Sequence, residues 1–307
     1  MARSVFGYPA DGSVEFEQPR SITAESLPKT AVGAVIIPAH NESGVIARTL
    51  GALAPLAAVD GIEVIVVCNG STDDTATIAE GFTGVQVAQI DRASKTDALN
   101  LGDELATVWP RLYLDADIEV DPRSVLAVFD ALGEPGVYAA RARYVYDAAG
   151  ASVPVRSYHR ARSRVPTSPN RLWGAGGYAT NEEGHRRFDR FPDLVADDSW
   201  FDQQFAAEEK RVVPSLPMRV RTPSNVTDLI AVLSRRRRGY LQLGVASEAS
   251  SRLRALVSSI RGPRTAFDAG WYVLVTLAAR RRAARSERAG TKLWERDSSS
   301  RERAQEE

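Results

Sequence analysis

The apolar positions of this chain come in short blocks separated by polar turns. Val32-Gly33-Ala34-Val35-Ile36-Ile37 is a nearly continuous apolar run, the pattern of a strand buried on both faces. Pro38-Ala39-His40-Asn41-Glu42 breaks it. A helix is predicted from about 43 to 56, with Val45, Ile46, Thr49, Leu50 and Leu53 on one face. A second buried strand follows at 63–67, then the turn Asn69-Gly70-Ser71-Thr72-Asp73-Asp74. Ser71 or Thr72 is placed to cap the next helix, with Asp73 and Asp74 in its first turn. A third strand at 85–90, a helix at 95–107 and a fourth strand at 111–114 complete the pattern. Beyond Asp121-Pro122 come a helix at 123–132 and an aromatic strand at 137–146. The prolines and arginines of 150–170 suggest a loop-rich connection. Residues 172–180 are glycine-dense beside aromatics, which suits either close approach to a ligand or a tight turn or bulge.

Three repeats of strand, loop and helix predict an α/β fold. Its mostly parallel, Rossmann-like sheet would be flanked by helices and wound with right-handed crossovers. The expected boundaries are an N-terminal arm (1–30), a main domain (31–240, with halves 31–122 and 123–240) and a basic helical C-terminal extension (241–307) whose tail is disordered. In such sheets ligands bind at the carboxyl ends of the strands. His40, Asn41, Glu42, Asn69, Lys95, Asp115 and Asp117 all fall at those ends.

The fourth strand ends in Leu112-Tyr113-Leu114-Asp115-Ala116-Asp117. Alternate side chains of a strand point the same way, so Asp115 and Asp117 can converge. Two hard oxygen donors at one point suit Mg²⁺ or Mn²⁺ with positions left open for phosphate oxygens, and so a diphosphate-bearing substrate.

Charge enters only through its distribution. The 307-residue chain carries 39 Lys+Arg against 39 Asp+Glu, which implies no partner as a whole and gives no reason to expect nucleic acid. Between residues 231 and 285, however, twelve arginines face only Glu248 and Asp268, favouring an anionic surface or ligand. The single cysteine, Cys68, fits a reducing compartment. No secretory signal is expected, and no apolar run reaches the ~18–20 residues of a membrane span. Residues 263–285 join Phe267, Trp271, Tyr272, Val273, Leu274, Val275 and Leu277 to arginines. They could lie on a membrane surface, pack on the main domain or form a dimer contact.

The order of four strings resembles family 2 glycosyltransferases of the GT-A type. These are Ile36–Glu42, Val66–Thr75, Lys95-Thr96-Asp97-Ala98-Leu99-Asn100-Leu101-Gly102 and Tyr113–Asp117, within residues 32–122. A weaker match runs through Gly174–Thr180 to Val195-Ala196-Asp197-Asp198. The resemblance implies an enzyme moving a sugar from a nucleotide-diphospho-sugar (UDP-, GDP- or dTDP-linked) to a hydroxyl of a saccharide, lipid-linked or small-molecule acceptor. It implies Mn²⁺ or Mg²⁺, inversion at the anomeric carbon, and an enzyme of cell-envelope polysaccharide synthesis; a cytoplasmic location is expected, with residues 263–285 as the candidate contact to the inner membrane face.

By the same resemblance, Pro38, His40, Asn41 and Glu42 hold the nucleotide with Asn69, Lys95 and Asp115. Asp117, with Asp115, binds the metal. Asp198 is the catalytic base, while Gly176, Gly177 and Asp197 belong to the sugar and acceptor loop. Arg235 and Arg238 have the spacing of a diphosphate-binding pair. Four departures stand out: Asn69 for the family's base-binding aspartate, Ser94 for a glycine, Asp197 for a glutamate, and Gly239 for a tryptophan after the arginines. The rival readings are a nucleotidyltransferase, which would need a glycine-rich phosphate loop after the first strand, and a degenerate nucleotide-sugar-binding module.

Overall fold

The computed structural model of the protein describes residues 22–244 and 249–288. Most of the expected N-terminal arm and the expected frayed tail beyond 288 lie outside the described residues.

Seven strands make one sheet: β1 (Gly33–Ala39), β2 (Ile62–Asn69), β3 (Val85–Ile90), β4 (Arg111–Leu114), β5 (Ala139–Asp147), β6 (Gly177–Thr180) and β7 (Lys210–Arg221). Their order is β3-β2-β1-β4-β6-β5-β7. β1 pairs in parallel with β2 and β4, and β2 with β3, while β6 runs antiparallel to β4 and β5. The ten helices of the described residues are α1 (Ile46–Ala57), α2 (Thr75–Glu80), α3 (Lys95–Leu105), α4 (Pro122–Leu132), α5 (Val153–Ser163), α6 (Glu182–His185), α7 (Asp197–Gln203), α8 (Val226–Gln242), α9 (Ala249–Ser258) and α10 (Pro263–Arg288).

All seven residues of β1 are buried, and their alternation feeds two cores. Val35 and Ile37 pack with Leu50, Leu53, Leu112 and Phe129 on one face. Ala34 and Ile36 pack with Leu99, Tyr113, Tyr178 and Phe201 on the other. At Gly102 a Cβ would come within 2.3 Å of Ile36 Cγ2, so α3 lies hard against β1. That contact fixes the N-terminus of α3, which carries Lys95, at the sheet's C-terminal rim. Ser94 caps it, its side chain accepting from Asp97 N at 3.2 Å. A serine in place of the expected glycine is therefore a capping residue in extended backbone.

Two expectations need correction, and the packing of α10 selects among the alternatives left open for it. Residues 150–170 are not loop-rich: α5 occupies Val153–Ser163, because Pro154 sits in its first turn, where a missing N–H costs nothing, and Val155, Tyr158 and Ala161 form its buried face. Neither Ser71 nor Thr72 caps α2, which starts only at Thr75. Ser71 Oγ instead accepts from Asn41 N (3.1 Å), joining the two loops. Of the aromatic and apolar residues expected on a membrane face of α10, Trp271, Tyr272 and Val275 turn inward onto α5 and α8. Tyr272 stacks on Tyr158 at 5.2 Å, and buried Asp268 pairs with Arg160 (2.6 Å) and Arg164 (3.2 Å). Phe267, Val273, Leu274 and Leu277 remain exposed. No helix among the described residues is long and apolar enough to cross a membrane.

Candidate active site

A cavity of about 280 Å³ opens at the C-terminal ends of β1, β2 and β4, between the sheet and α5, α7 and α8. Pro38, His40, Glu42, Asn69, Lys95, Asp115, Asp117, Gly176, Asp197, Asp198 and Arg235 line it, as the sequence led one to expect. Three expected residues do not: Asn41, Gly177 and Arg238.

Asn41 adopts a left-handed backbone (φ 51°) and points into the neighbouring loop, where its Oδ1 accepts from Thr72 N at 2.6 Å. It knits the ends of β1 and β2 together, helped by the bond from Glu42 N to Thr75 Oγ1 (2.7 Å). His40 Nδ1 bonds the carbonyl of Asn69 across the same junction. Asn69 is 2% exposed. Its amide donates to Ala39 O (2.8 Å) and accepts from Ser94 N (3.2 Å) in the orientation its neighbours require. An aspartate could not make the first of these bonds. The departure from the family pattern thus has a structural cause, a strut between β1, β2 and the start of α3. Gly177 lies within β6, against Leu114 and Met218.

At the centre stands Lys95. Its Nζ lies 2.7 Å from Asp115 Oδ1 and 2.8 Å from Asp197 Oδ2. Tyr178 OH donates to the same Asp197 oxygen at 2.7 Å. Burial works against the ammonium, but the two carboxylates outweigh it and hold the Lys95 pKa above its ordinary value. Burial also pushes Asp115 upward, with Asp197 and Asp117 adding to the rise and Lys95 opposing it. Gly176 (φ 71°) allows the backbone to pass beside this cluster: a Cβ there would meet Ile118 at 2.5 Å and lie 3.4 Å from Asp115 Oδ2.

Asp198 occupies the first turn of α7. Its Oδ2 accepts from Gly174 N at 2.7 Å, which fixes the carboxylate against the glycine-dense loop. Burial, then the charge of Asp197, raises its pKa, while Arg236 and Lys95 oppose the shift.

Sequence reasoning missed Arg236. On α8 the positions facing the cavity are Leu229, Val232, Leu233 and Arg236, a helical stripe with Arg235 at its margin. The phase of that stripe, not the spacing of Arg235 and Arg238, selects the arginine. Burial disfavours the Arg236 guanidinium, but Tyr146, Tyr240 and Asp198 more than compensate and keep it charged. Reciprocally, Tyr146 is held below its usual pKa: the arginines around it, Arg236 first, overcome its burial. Gly239 is explained by packing, since a Cβ there would approach Ala196 Cβ to 2.6 Å and no tryptophan fits between α8 and the start of α7. His159 also lines the cavity. Burial, with Arg236 and Arg162 nearby, pushes its pKa down to about 3, and both ring nitrogens are buried without a partner. Cys68, by contrast, is an inert core residue, its thiol pushed up by burial to about 11.

Asp117 is half-buried, and its carboxylate has no hydrogen-bond or ion-pair partner among the described residues. Asp115 is engaged by Lys95. No group of three or more His, Cys, Asp or Glu among the described residues converges to cage a cation. This donor set fits Mg²⁺ or Mn²⁺ that is held by one or two carboxylates and takes its other ligands from a substrate diphosphate.

The model of glycosyl transferase family 2 matches residues 34–191, more than half of the chain. The protein belongs to that family and is a glycosyltransferase with a GT-A-like fold. It is similar to a mannosyltransferase of Pyrobaculum calidifontis solved with GDP-Man and Mn²⁺: TM-score 0.53 and 21% identity over 86% of this chain and 77% of that one. Staphylococcus aureus TarS with UDP-GlcNAc gives a TM-score of 0.48 at 18% identity, covering 85% and 93%. Glucosyl-3-phosphoglycerate synthase of Mycobacterium tuberculosis, with Mn²⁺, UDP and its product, gives 0.47 at 20% identity, covering 71% and 82%. At 21% identity the likeness to the mannosyltransferase concerns the fold. No curated protein matches the sequence.

Proposed function

We propose that the protein transfers a sugar from a nucleotide-diphospho-sugar to an acceptor hydroxyl by a single, inverting displacement that depends on a divalent cation. The observation that carries this reading is the convergence of Lys95, Asp115, Asp117, Asp197 and Asp198 on one cavity at the strand ends. The half 31–122 would hold the nucleotide and 123–240 the acceptor.

The acceptor oxygen attacks the anomeric carbon and its proton passes to Asp198. The bond from that carbon to the diphosphate breaks, with its electron pair leaving on the phosphate oxygen. Burial and Asp197 raise the basicity of Asp198, and the bond from Gly174 N orients it. Lys95 and Arg236 place positive charge beside the departing diphosphate, where preorganised charge counts most. Held by Asp117 and the donor's phosphate oxygens, Mn²⁺ or Mg²⁺ would offset the charge developing on the leaving group. Lys95 also keeps Asp115 and Asp197 from repelling each other before substrate arrives.

The exposed Phe267, Leu274 and Leu277 of α10, next to exposed Arg264, Arg280 and Arg281, support a second proposal: peripheral attachment at the inner face of a membrane. Co-sedimentation with anionic vesicles would detect it, and Leu274→Glu should abolish it.

Turnover is tested by incubating the full chain with labelled UDP-, GDP- and dTDP-sugars, Mn²⁺ and a cell-envelope extract. A labelled product with inverted anomeric configuration is expected. Retained configuration would remove the single-displacement role of Asp198.

A further inference from the structure

A second, larger cavity of about 510 Å³ adjoins the first, between α5, the 167–173 loop, α7, α8, α9 and α10. The two share Tyr158, Arg162, Leu233 and Arg236. Successive residues of α7 serve both: Asp197 and Asp198 line the first, Ser199 and Asp202 the second. The second cavity thus continues from the first along α7.

The charge of this cavity is one-sided. Arg162, Arg171, Arg236, Arg237, Arg252 and Arg280 line it, against Asp202 as its one acidic residue. Asp202 is already satisfied by Lys210 Nζ (3.0 Å) and Leu172 N (2.8 Å). An independent observation comes from Arg171, which is 7% exposed and lies with its guanidinium 4.4 Å from the centre of the Trp173 ring. Its Nη2 donates to Tyr144 OH, while Nη1 is buried with no hydrogen-bond partner among the described residues. A guanidinium with an unused donor at the wall of a cationic cavity favours an anionic ligand there.

We propose that this cavity is the acceptor site and that the acceptor carries a phosphate group, held by Arg171, Arg237 and Arg280 while its hydroxyl reaches Asp198. The proposal rests on the glycosyl-transfer reading for the word acceptor, but not for the phosphate site itself. Guanidinium forks match phosphate oxygens in pairs, and the flat ring of Trp173 with the apolar side chains of Leu233 and Leu256 gives the rest of the molecule a non-polar surface. The phosphate could belong to a soluble sugar phosphate or to a lipid headgroup.

The test uses the full chain, with glucose 6-phosphate against glucose by calorimetry. Vesicles of phosphatidic acid in phosphatidylcholine are compared with phosphatidylcholine alone by sedimentation. At least one phosphate-bearing probe should bind, about tenfold or more tighter than its uncharged counterpart. The double variant Arg237→Ala/Arg280→Ala, which touches no core residue, should weaken that binding about tenfold. Arg264→Ala/Arg281→Ala removes equal charge from exposed positions outside the cavity and should change glucose 6-phosphate binding less than about twofold. Binding of glucose 6-phosphate marks a soluble acceptor, and vesicle binding that is weakened by Arg237→Ala alone marks a lipid one; either supports the site. Failure of both phosphate probes, or equal losses in the two double variants, overturns it. Asp117→Ala should leave probe binding intact. If the protein binds no nucleoside diphosphate yet keeps the phosphate probe, the donor reading fails and the phosphate site stands.

Discussion

Lys95 and Asp115 come from the start of α3 and the end of β4, and they meet with Nζ 2.7 Å from Oδ1. The same ammonium reaches Asp197 of α7 at 2.8 Å, so one side chain ties three elements together. Removing it leaves two neighbouring carboxylates without their counter-charge. Lys95→Ala should therefore lower stability by about 1–3 kcal/mol, the range for unpairing partly buried groups. Urea denaturation measures this. Added Mn²⁺ should restore part of the loss, because a cation can replace the ammonium between the acids.

Asp198 sets the pH dependence. Its folded pKa lies above the ordinary carboxylate value, through burial first and Asp197 second. The folded protein thus holds this proton more tightly than the unfolded chain. As pH rises through the raised value, Asp198 ionises, the base becomes available, and its contribution to stability falls. Activity should rise with pH on an acidic limb lying above 3.8, the unperturbed value. Asp198→Asn should reduce kcat on the order of 10²–10⁴-fold, leave donor KM nearly unchanged, and remove that limb from the residual rate. A kcat–pH profile of both proteins decides the point.

The strut at Asn69 predicts the outcome of restoring the family's residue. Asn69→Asp places a carboxylate oxygen against Ala39 O, where the amide had donated at 2.8 Å. The variant should lose about 1–3 kcal/mol of stability at neutral pH, the cost of a buried unsatisfied acceptor, and should recover part of it as pH falls and the acid is protonated. Thermal melts at two pH values measure this.

On α8, Arg236 and not Arg238 faces the donor cavity. Arg236→Ala should weaken nucleoside-diphosphate binding by about 1.5–3 kcal/mol, the range for hydrogen bonds to charged groups. Arg238→Ala should change it by less than about 0.5 kcal/mol. Calorimetric titration of both variants with UDP and GDP checks the difference.

What was legible in the sequence follows from how local each signal is. The doubly buried strands β1 and β2 announce themselves as apolar runs, and β3 and β4 have the limits their composition suggests. β7 was hidden because Pro214 and Pro217 interrupt it. It tolerates them as the edge strand of the sheet, paired along its length with β5 and bridged at Arg219 to Glu119. α5 was hidden by the same residue type, since Pro154 marks a helix start and reads as a loop signal without its partners. In the site, residues adjacent to strand ends were visible one by one. The contact of Lys95 with Asp197 was not, because it depends on where α7 returns to the sheet. Arg236 was masked within a run of four arginines, and only the apolar positions Leu229, Val232 and Leu233 reveal which of the four turns inward. The strut made by Asn69 was not legible because its two partners, Ala39 and Ser94, lie far from it in the chain.

The central claim is that the acidic rim binds a nucleoside diphosphate through a cation held at Asp117. Calorimetry with UDP and GDP, in Mn²⁺ and in EDTA, on the wild-type protein and Asp117→Ala tests it most directly. One of the nucleotides should bind the wild-type protein only with Mn²⁺, and Asp117→Ala should weaken that binding about tenfold or more. Equal affinity in EDTA, or an Asp117→Ala protein that binds as tightly as wild type, would contradict the account.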